Sequence, residues 1–357
     1  MILTFNVGSS SIKVKLFSDT LQERQSFLKE QISSNHEEAF QEIFENLDME
    51  KIEIVAHRVV HGGEFYHEAT TINDEVKSNI ESLIELAPLH NGANLLGISI
   101  AQKFFPNALH VAIFDTAFHN SIKSHAYLYA LPYEMYENDK IRRYGFHGSS
   151  HQYVSKRAAE LLHVKSGNFI TCHLGNGASI CAIKEMKSVD TSMGFTPLEG
   201  LMMGTRCGDI DPSIVFFLQK KYPDMDVENI LNKKSGLLGV ASNSDMRDLI
   251  SEAYSGNELS AKAIEMFCYK IAKYIGAYFI ALGRVDAIIF TGGIGENSAL
   301  IREKVCAVIG EALHVELNDE MNSKNSTLIS KESSQIKIMS IKTDEELEMA
   351  TQALKKG

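Results

Sequence analysis

The sequence predicts an α/β protein made of two similar domains. Apolar strands and amphipathic helices alternate along all 357 residues, which is the order expected of a mixed α/β fold. At residues 2–14 and again at 169–180, a short apolar strand runs into a turn of small residues and directly into a second strand. The turn glycines, Gly8 and Gly175, are separated by close to half of the chain. We therefore expect a duplicated fold with one such hairpin in each half.

Apolar spacing and helix-boundary residues predict the remaining elements. A continuous apolar stripe predicts the longest helix, over 261–282. Asp211 and Pro212 are typical of a helix start, and residues 343–346 match the capping box of a terminal helix. Residues 186–210, rich in glycine, methionine and threonine, are expected to be irregular. Further helices are predicted over 37–47, 74–86, 93–105, 150–162 and 299–309, and strands over 52–60, 110–114, 285–290 and 336–341.

The composition is that of a globular protein. Apolar residues make up 44% of the chain and charged residues 23%, and the length favours two domains. The net charge of −11 argues against nucleic acid as a partner. Because there is no membrane-length apolar stretch and no secretory signal pattern, we expect no membrane association and no export. The five cysteines are odd in number and scattered, which is typical of reduced thiols in a cytoplasmic protein.

The two glycine hairpins are predicted to bind phosphate. Both turns would present consecutive backbone N–H groups with little side-chain bulk. Asn6 and Lys13 flank three serines in the first turn, and the second carries His173, Asn176 and Gly177. An ordinary hairpin is the alternative interpretation, since glycine and serine are common turn residues. Two such turns, one in each half, would hold one polyphosphate from both sides, which predicts phosphoryl transfer.

A third glycine-rich segment, 292–297, follows a predicted strand and precedes a predicted helix, and we expect a turn at 292–295. Its N–H groups are suited to an anion or a ribose. It does not match the dinucleotide fingerprint, because Ser298 stands where the third glycine belongs. The chain also lacks the G-x-x-x-x-G-K-[ST] pattern of Walker ATPases. By itself this segment is weak evidence for a nucleotide.

The thirteen histidines form no recognisable metal motif. His57 and His61 are four residues apart, but at a strand end this spacing does not bring two imidazoles together, and H-E-x-x-H is absent. Cys172 and His173 are adjacent in a strand, so their side chains point to opposite faces and do not form a nucleophile–base pair.

Two arginines and one aspartate are better candidates for chemistry. Arg58 lies where a strand enters a Gly-Gly turn, and Arg206 lies between glycines in the irregular stretch. Such arginines are often free surface cations, but a pair facing an anion would neutralise charge during phosphoryl transfer. Asp115 ends a buried strand, a frequent location of catalytic carboxylates in α/β sheets. A helix cap or a buried salt bridge is the alternative role for Asp115.

Seven segments closely resemble motifs of the acetate kinase family, in the family's order and over the whole chain. The most specific match is the long segment 190–212, and the stretch between residues 18 and 52 is shorter than is usual in the family. The segments are NVGSSS at 6–11, HRVVHGG at 57–63, FDTAFH at 114–119, YGFHG at 144–148, HLGNG at 173–177, DTSMGFTPLEG at 190–200 and FTGGIGEN at 290–297.

The resemblance implies the actin-like (ribonuclease H-like) ATPase fold, with two duplicated α/β domains and the nucleotide in the cleft between them. The first domain would comprise residues 1–119 plus about 346–357, and the second residues 120–345, with the adenosine site and the dimer interface. The resemblance also implies a homodimer, ATP as co-substrate, Mg²⁺ (or Mn²⁺ in its place), and reversible phosphoryl transfer from ATP to acetate.

The resemblance also implies roles for individual residues. Those similar to the metal positions are Asn6 and Glu345, and those similar to the catalytic positions are Asp115, His147 and Arg206. Those similar to the substrate positions are Arg58 for the carboxylate and Val60, Leu89 and Pro197 for the methyl group. Those similar to the nucleotide contacts are Lys13, His173, Leu174, Gly175, Asn176, Gly177, Asp245, Met246, Arg247, Gly293, Ile294, Gly295, Glu296 and Asn297.

An ionised carboxylate needs no general base to act as a nucleophile. We therefore expect Asp115 to orient Arg58, Arg206 or the metal's waters, although the family description gives it an acid–base role. A covalent aspartyl-phosphate is the alternative, and direct in-line transfer is the more economical mechanism. A propionate kinase would share nearly every motif, and an actin-like ATPase switch or scaffold is the alternative from another class.

Overall fold

The computed structural model describes residues 1–7, 11–30, 36–47, 51–87 and 90–357. The strands are β1 (Ile2–Val7), β2 (Ser11–Phe17), β3 (Glu23–Glu30), β4 (Ile54–Val59), β5 (Thr70–Thr71), β6 (Leu109–Phe114), β7 (Phe169–Leu174), β8 (Ala178–Lys184), β9 (Lys187–Thr191), β10 (Ala287–Thr291) and β11 (Lys337–Ser340). The helices are α1 (His36–Glu45), α2 (Asp74–Ser82), α3 (Asn91–Phe104), α4 (Ser124–Tyr127), α5 (Tyr133–Asp139), α6 (Gly148–Leu161), α7 (Ser213–Lys221), α8 (Val227–Lys233), α9 (Gly236–Ala241), α10 (Met246–Tyr254), α11 (Glu258–Leu282), α12 (Gly292–Asn297), α13 (Ala299–Leu313), α14 (Asp319–Ser323) and α15 (Glu345–Leu354), with a 3₁₀ helix over Ala117–Ser121. Among the described residues, no helix combines the length and apolar character that a bilayer span requires.

The chain forms two compact units. The first contains Met1–Asn120, His147–Tyr153 and Asp344–Gly357, and the second contains Ser121–Phe146 and Val154–Thr343. The sequence division at residue 119 assigned 147–153 to the second domain, whereas in the structure this segment groups with the first unit. All five cysteines are free thiols.

The sheets of the two units have the same strand arrangement. In the first unit the order is β3-β2-β1-β4-β6-β5, with β1 antiparallel to β2 and parallel to β4. In the second unit the order is β11-β10-β7-β8-β9, with β7 antiparallel to β8 and parallel to β10. In both sheets, then, the first strand is followed by two antiparallel strands on one side of it. The next long strand, β4 or β10, pairs parallel to the first strand on its other side. The prediction of a duplicated α/β fold is confirmed.

The alternation of side chains in the first sheet decides which residues reach each face. Leu3, Phe5 and Val55 belong to a core cluster with apolar residues of α1 and α3. Ile2 and Ala56, one position away, belong to the opposite cluster, together with apolar residues of β6 and of α15. Because side chains alternate with a period of two along a strand, every second residue of β1, β4 and β6 faces α15.

Three local predictions were wrong, each for a physical reason. Residues 187–191, expected to be irregular, form a short strand because they pair with β8 as the edge strand of the sheet. Residues 292–297, expected to begin with a turn, are helical although glycine disfavours helices, because the side chains of Glu296 and Arg302 bind the backbone of this segment. The terminal helix is capped by Asp344, whose side chain accepts from the Leu347 N–H group, so the expected capping box is not formed.

Candidate active site

The candidate site of the first unit lies at the carboxyl ends of three adjacent strands, β1, β4 and β6. Asn6 is near the end of β1, Arg58 is near the end of β4, and Asp115 directly follows β6. β1, β4 and β6 are parallel, so their carboxyl ends meet at one edge of the sheet. All three residues are in phase with the positions that face α15. The alternation of side chains, together with the pairing of the three strands, therefore brings Asn6, Arg58 and Asp115 together.

Arg58 is held by Asp115 and Asn6. Its Nε lies 3.0 Å and its Nη2 2.7 Å from Asp115 Oδ2, and its Nη1 donates to Asn6 Oδ1 at 3.0 Å. Burial would lower the pKa of Arg58, but Asp115 and then Glu345 outweigh it and raise the pKa. Among the described residues, these contacts occupy Nε and one N–H group on each terminal nitrogen of the guanidinium, and leave the second N–H group of each terminal nitrogen. Two remaining donors are what bidentate binding of a carboxylate requires.

Glu346 is a buried carboxylate that the sequence analysis missed. It is 2% exposed, its Oε2 accepts from Lys13 Nζ at 2.6 Å, and Asn6 Nδ2 lies 3.4 Å from its Oε1. Lys13, predicted to contact phosphate, thus holds a carboxylate in this structure. Glu346 could have been considered from the sequence, because it follows Glu345 in the first turn of α15. The acidic residues there were interpreted instead as part of a helix cap.

The acids outnumber the bases in this cluster. Among the described residues, the carboxylates of Asp115, Glu345 and Glu346 are grouped with two permanent cations, Lys13 and Arg58. Burial, with the repulsion of Asp115 and Glu346, raises the pKa of Glu345 to about 7 against the attraction of Arg58 and Lys13. A divalent cation would correct this imbalance, so the donor set fits one.

The protein alone does not build a complete metal cage in the part of the chain that the structure describes, where no group of three or more His, Cys, Asp or Glu residues could hold a metal. Glu345 offers a carboxylate, and Asn6 Oδ1, although it accepts from Arg58, has a second lone pair. This arrangement suits Mg²⁺, which is usually bound through one or two protein oxygens and completed by phosphates and water.

His147 is joined to Asp115 through the backbone. Gly148 N donates to the Asp115 carbonyl oxygen at 3.0 Å, and a Cβ atom at Gly148 would overlap that oxygen. His147 itself has a φ of 56°, in the left-handed region, where a residue other than glycine or asparagine is uncommon. Such conformations cost energy and are concentrated at functional sites. The predicted catalytic histidine therefore lies beside the predicted catalytic aspartate.

The predicted methyl pocket is described only in part. Val60 is buried, and its N–H group donates to Asn94 Oδ1 at 3.1 Å. Leu89 lies outside the described residues, and Pro197 belongs to the second unit. Asn94 was not predicted; it also donates to the Val7 carbonyl oxygen at 2.8 Å and so ties the ends of β1 and β4 together.

His57 lies in the core of the first unit, beside a second histidine. His57 Nε2 is 2.9 Å from His110 Nδ1, and the His57 ring stacks on Phe5. Burial lowers the pKa of His57 well below its usual value, and His110 adds to this effect. His57 is therefore a core residue on the sheet face opposite Arg58.

In the second unit, many predicted nucleotide residues line one pocket of about 670 Å³, a volume suited to a small ligand. Three chain segments meet there: the β7–β8 turn, the start of α10, and α12 with the residue after it. Ser244, Ile250 and Ser298 are pocket residues that the sequence analysis did not predict. The predicted residues that line the pocket are Gly175, Asn176, Asp245, Met246, Arg247, Gly293, Ile294 and Asn297.

Asp245 and Arg247 bind each other at the mouth of this pocket. Arg247 Nη2 lies 2.5 Å from Asp245 Oδ2, and Asp245 also caps α10 by accepting from Arg247 N. The hydrogen bonds from Arg247 lower the pKa of Asp245 to about 2. The pair presents a fixed polar edge with most of the guanidinium exposed.

The remaining predicted nucleotide residues of this unit do not line the pocket. Leu174 is fully buried, and Gly295 is also buried. Glu296 Oε1 accepts from Gly292 N at 3.0 Å and from Thr343 N at 2.9 Å, so its carboxylate holds the backbone around α12. His173 is half-buried at the end of β7, and the Gly177 carbonyl oxygen accepts from Gly175 N across the turn.

Arg206 occupies a loop that is tied to the pocket. Gly204 N donates to the Asn176 carbonyl oxygen at 2.9 Å, which joins this loop to the β7–β8 turn. Arg206 Nη1 donates to the Pro197 carbonyl oxygen at 3.2 Å and approaches Met203 Sδ at 3.6 Å. It forms no ion pair with a carboxylate among the described residues. Burial lowers the pKa of Arg206, but the group stays a cation.

Known proteins resemble this chain over nearly its whole length. The sequence profile of the Acetokinase family matches residues 23–351. An acetate kinase of Carboxydothermus hydrogenoformans is 46% identical over 391 aligned residues, covering 99% of this chain and 98% of the relative. Because that alignment exceeds 357 positions, the relative contains segments that this chain lacks.

Solved structures give the same result. A propionate kinase from Francisella tularensis superposes with a TM-score of 0.94 at 39% identity, covering 99% of both chains. The acetate kinase of Porphyromonas gingivalis superposes with a TM-score of 0.91 at 39% identity, covering 99% of this chain and 98% of that one.

Proposed function

Because this chain belongs to the acetokinase family, we propose that it transfers the γ-phosphoryl group of ATP to acetate, reversibly, giving acetyl phosphate and ADP. The observation that carries this proposal is Arg206, a partly buried guanidinium with no carboxylate partner among the described residues. A phosphoryl group in transfer spreads negative charge over its oxygens, and an uncompensated arginine can neutralise that charge. Arg302, a buried arginine of the same unit that holds α12, makes five hydrogen bonds, whereas Arg206 has one oxygen acceptor among the described residues.

The second unit would bind the nucleotide. Its pocket has room for the adenosine portion, between the exposed Asp245–Arg247 pair and α12. The backbone N–H groups of Asn176 and Gly177 in the β7–β8 turn would bind phosphate oxygens, whereas that of Gly175 donates within the turn. Leu174, Gly295 and Glu296 would support this site through the backbone rather than touch the ligand.

The first unit would bind acetate through Arg58. The carboxylate is already ionised at neutral pH, because carboxyl groups have ordinary pKa values of about 4. No general base is then needed, and the protein's task is to position two anions against each other. Asp115 would keep the Arg58 guanidinium in one orientation, with its last two N–H groups directed to the substrate. His147 and Arg206 would stabilise the charge of the group in transfer.

We also propose Mg²⁺ as the cofactor, with Mn²⁺ as a substitute, held through Glu345 and Asn6. When bound, the metal supplies positive charge to the phosphate oxygens of the nucleotide. Glu345 begins α15, and Glu346 beside it keeps Lys13 near the same cluster. A nucleotide phosphate would compete with the Glu346 carboxylate for Lys13.

The test of this function is ADP release under saturating Mg·ATP with acetate, propionate, butyrate or no acid. We expect release to depend on added acid, with acetate the best acceptor, and hydroxylamine to trap the product as acetohydroxamate. ADP release at the same rate without any acid would overturn the proposal in favour of an actin-like ATPase switch or scaffold.

Propionate is the second candidate acceptor, because the Francisella propionate kinase superposes with a TM-score of 0.94, against 0.91 for the Porphyromonas acetate kinase. We expect wild-type protein to prefer acetate by roughly 10- to 200-fold in kcat/KM, the usual value of one methylene in a tight pocket. Val60→Ala should narrow this gap, chiefly by lowering KM for propionate, because the reacting carboxylate is untouched.

Val59→Ala is the matched control for this prediction. Val59 is also buried, but as the last residue of β4, directly before Val60, it points to the other face of the sheet, so the ratio of acetate to propionate use should not change. If the wild type preferred propionate, the protein would be a propionate kinase and the acetate assignment would be wrong. If Val60→Ala left the acetate-to-propionate ratio of kcat/KM unchanged, Val60 would not line the methyl pocket.

We propose that the protein is a homodimer that uses α7 at its interface. None of the nine residues of α7 is buried, although five in a row are apolar, and Phe216 and Phe217 are 69% and 60% exposed. Exposed apolar faces of this kind mark association sites. A second copy is the occupant that the family resemblance implies.

Light scattering on a gel-filtration column tests the dimer. The wild type should elute at about twice the 39.7 kDa chain mass, and a Phe216→Asp/Phe217→Asp variant at one chain mass. Val308→Asp, an exposed position on α13, is the control and should remain dimeric. A monomeric wild type would contradict the proposal.

A further inference from the structure

A cluster of three polar side chains lies behind the loop that carries Pro197 and Arg206. The cluster consists of Tyr129, Arg143 and Glu199. Glu199 Oε1 accepts from Arg143 Nη2 at 2.6 Å, and Glu199 Oε2 accepts a short hydrogen bond from the Tyr129 hydroxyl. None of the three was predicted from the sequence to have a role.

The Tyr129 hydroxyl joins the two sides of Pro197. It accepts from Phe195 N at 2.8 Å, two residues before Pro197, and donates to Glu199, two residues after it. Burial raises the pKa of Tyr129, and the adjacent Glu199 raises it further, so the phenol keeps the proton that it donates. One hydroxyl therefore closes the five-residue segment 195–199 into a fixed turn.

Arg143 holds the chain that leads into this turn. Its Nη1 donates to the Thr191 carbonyl oxygen at 2.8 Å and approaches those of Ser192 and Met193 at 3.3 Å. Gly194 fits only because it lacks a side chain, since a Cβ atom there would overlap the Glu199 carboxylate and the Tyr129 hydroxyl. The backbone from 191 to 199 is thus wrapped closely around the cluster.

Pro197 is the point where this turn meets Arg206. The Pro197 carbonyl oxygen accepts from Arg206 Nη1, and it is the only oxygen acceptor that the Arg206 side chain has among the described residues. The position of the Arg206 guanidinium therefore depends on the position of that carbonyl. The carbonyl in turn depends on the hydrogen bonds of Phe195 and Glu199 to Tyr129.

We infer that Tyr129, Glu199 and Arg143 are positioning residues for phosphoryl transfer, which place Arg206 through the carbonyl of Pro197. The inference rests on the proposed function, because it concerns the role that Arg206 has there. It predicts that losing one distant hydroxyl lowers the rate of transfer while the nucleotide pocket, built from other segments, is unaffected.

The test is Tyr129→Phe, which keeps the ring and removes the hydroxyl. We expect kcat to fall by about 10- to 100-fold, since misplacement of a reacting group by about 1 Å can cost that much. The dissociation constant for Mg·ADP should stay within about two-fold of wild type. Glu199→Gln, which keeps the shape and removes the charge that binds Arg143, should also lower kcat without weakening Mg·ADP.

Tyr127→Phe is the matched control. Tyr127 is two residues away, and its hydroxyl bonds to that of Tyr136 rather than to the 195–199 turn. Its removal should leave kcat within about two-fold of wild type. If Tyr127→Phe and Tyr129→Phe lowered kcat equally, the effect would be a general loss of structure, and the inference would be wrong.

A double-mutant cycle with Arg206→Ala decides whether the cluster acts through Arg206. If it does, Tyr129→Phe should have less than a two-fold effect on kcat in the Arg206→Ala background. The full loss in that background would overturn the inference, and so would wild-type kcat in Tyr129→Phe alone. A wild type without acetate-dependent ADP release would instead refute the proposed function, so the two failures are distinguishable.

Discussion

Arg206→Ala should lower kcat by a factor of about 10³ or more, equivalent to about 4 kcal/mol of transition-state stabilisation. The guanidinium carries an uncompensated charge, and its environment is the Pro197 carbonyl and the Met203 sulfur rather than an acid. Charge that develops on the phosphoryl oxygens would therefore lose its nearest fixed counter-charge in the second unit. The dissociation constant for Mg·ADP should change little, because Arg206 does not line the nucleotide pocket.

Arg284→Ala is the control for this substitution. Arg284 is a 77% exposed arginine of the same unit whose partner is Asp286, so its loss should leave kcat unchanged. Steady-state kinetics in the acetyl phosphate-forming direction and calorimetric titration of Mg·ADP measure both quantities. Near-normal kcat in Arg206→Ala would contradict the role of Arg206 in phosphoryl transfer and, with it, the main argument for the proposed function.

Asp115→Asn should lower both the free energy of unfolding and the kcat/KM for acetate. Asp115 is 1% exposed and binds Arg58 through both oxygens, whereas an asparagine would direct an NH₂ group at one of the guanidinium donors. Breaking a buried ion pair costs roughly 3–5 kcal/mol of unfolding free energy, and we expect about 3 because Arg58 is 23% exposed. The kcat/KM for acetate should fall about 10²-fold, because the substrate ligand is misplaced.

Urea unfolding and acetate kinetics separate the roles offered for Asp115. Glu265→Gln is the control for the stability measurement. It breaks an exposed ion pair with Lys262 and should change the free energy of unfolding by less than about 0.5 kcal/mol. A positioning role predicts a raised KM for acetate in Asp115→Asn. An abolished kcat with unchanged acetate KM and unchanged stability would indicate an acid–base or aspartyl-phosphate role instead.

The fold could be predicted because its signals are local and repeated. Each hairpin is marked by an apolar run and a turn, and the second copy supports the interpretation of the first. The proximity of Arg58 and Asp115 could also be anticipated, since both lie near the carboxyl ends of buried strands. The sequence left open whether Asp115 orients Arg58, Arg206 or the metal's waters, because the choice depends on the alternation of side chains and on which strands are neighbours.

Contacts between distant segments were beyond the sequence pattern. Glu346 is indistinguishable from a helix-start acid until α15 packs on the first sheet, where its carboxylate meets Lys13, 333 residues away in the chain. Glu296 belongs to a motif that suggests ligand binding, yet its side chain holds the backbone at Thr343. The glycine-rich helix α12 was missed because tertiary hydrogen bonds, including those from Arg302, outweigh its low helix propensity.

The most direct test of direct in-line transfer is the stereochemical course at phosphorus. ATP made chiral at the γ-phosphorus with three oxygen isotopes would be converted to acetyl phosphate, and the configuration of the product determined. One in-line displacement by the acetate carboxylate inverts the configuration, and inversion is the result that we predict. Retention would show two successive transfers through a phosphorylated residue such as Asp115, and would contradict the assignment of Asp115 as the residue that only orients Arg58.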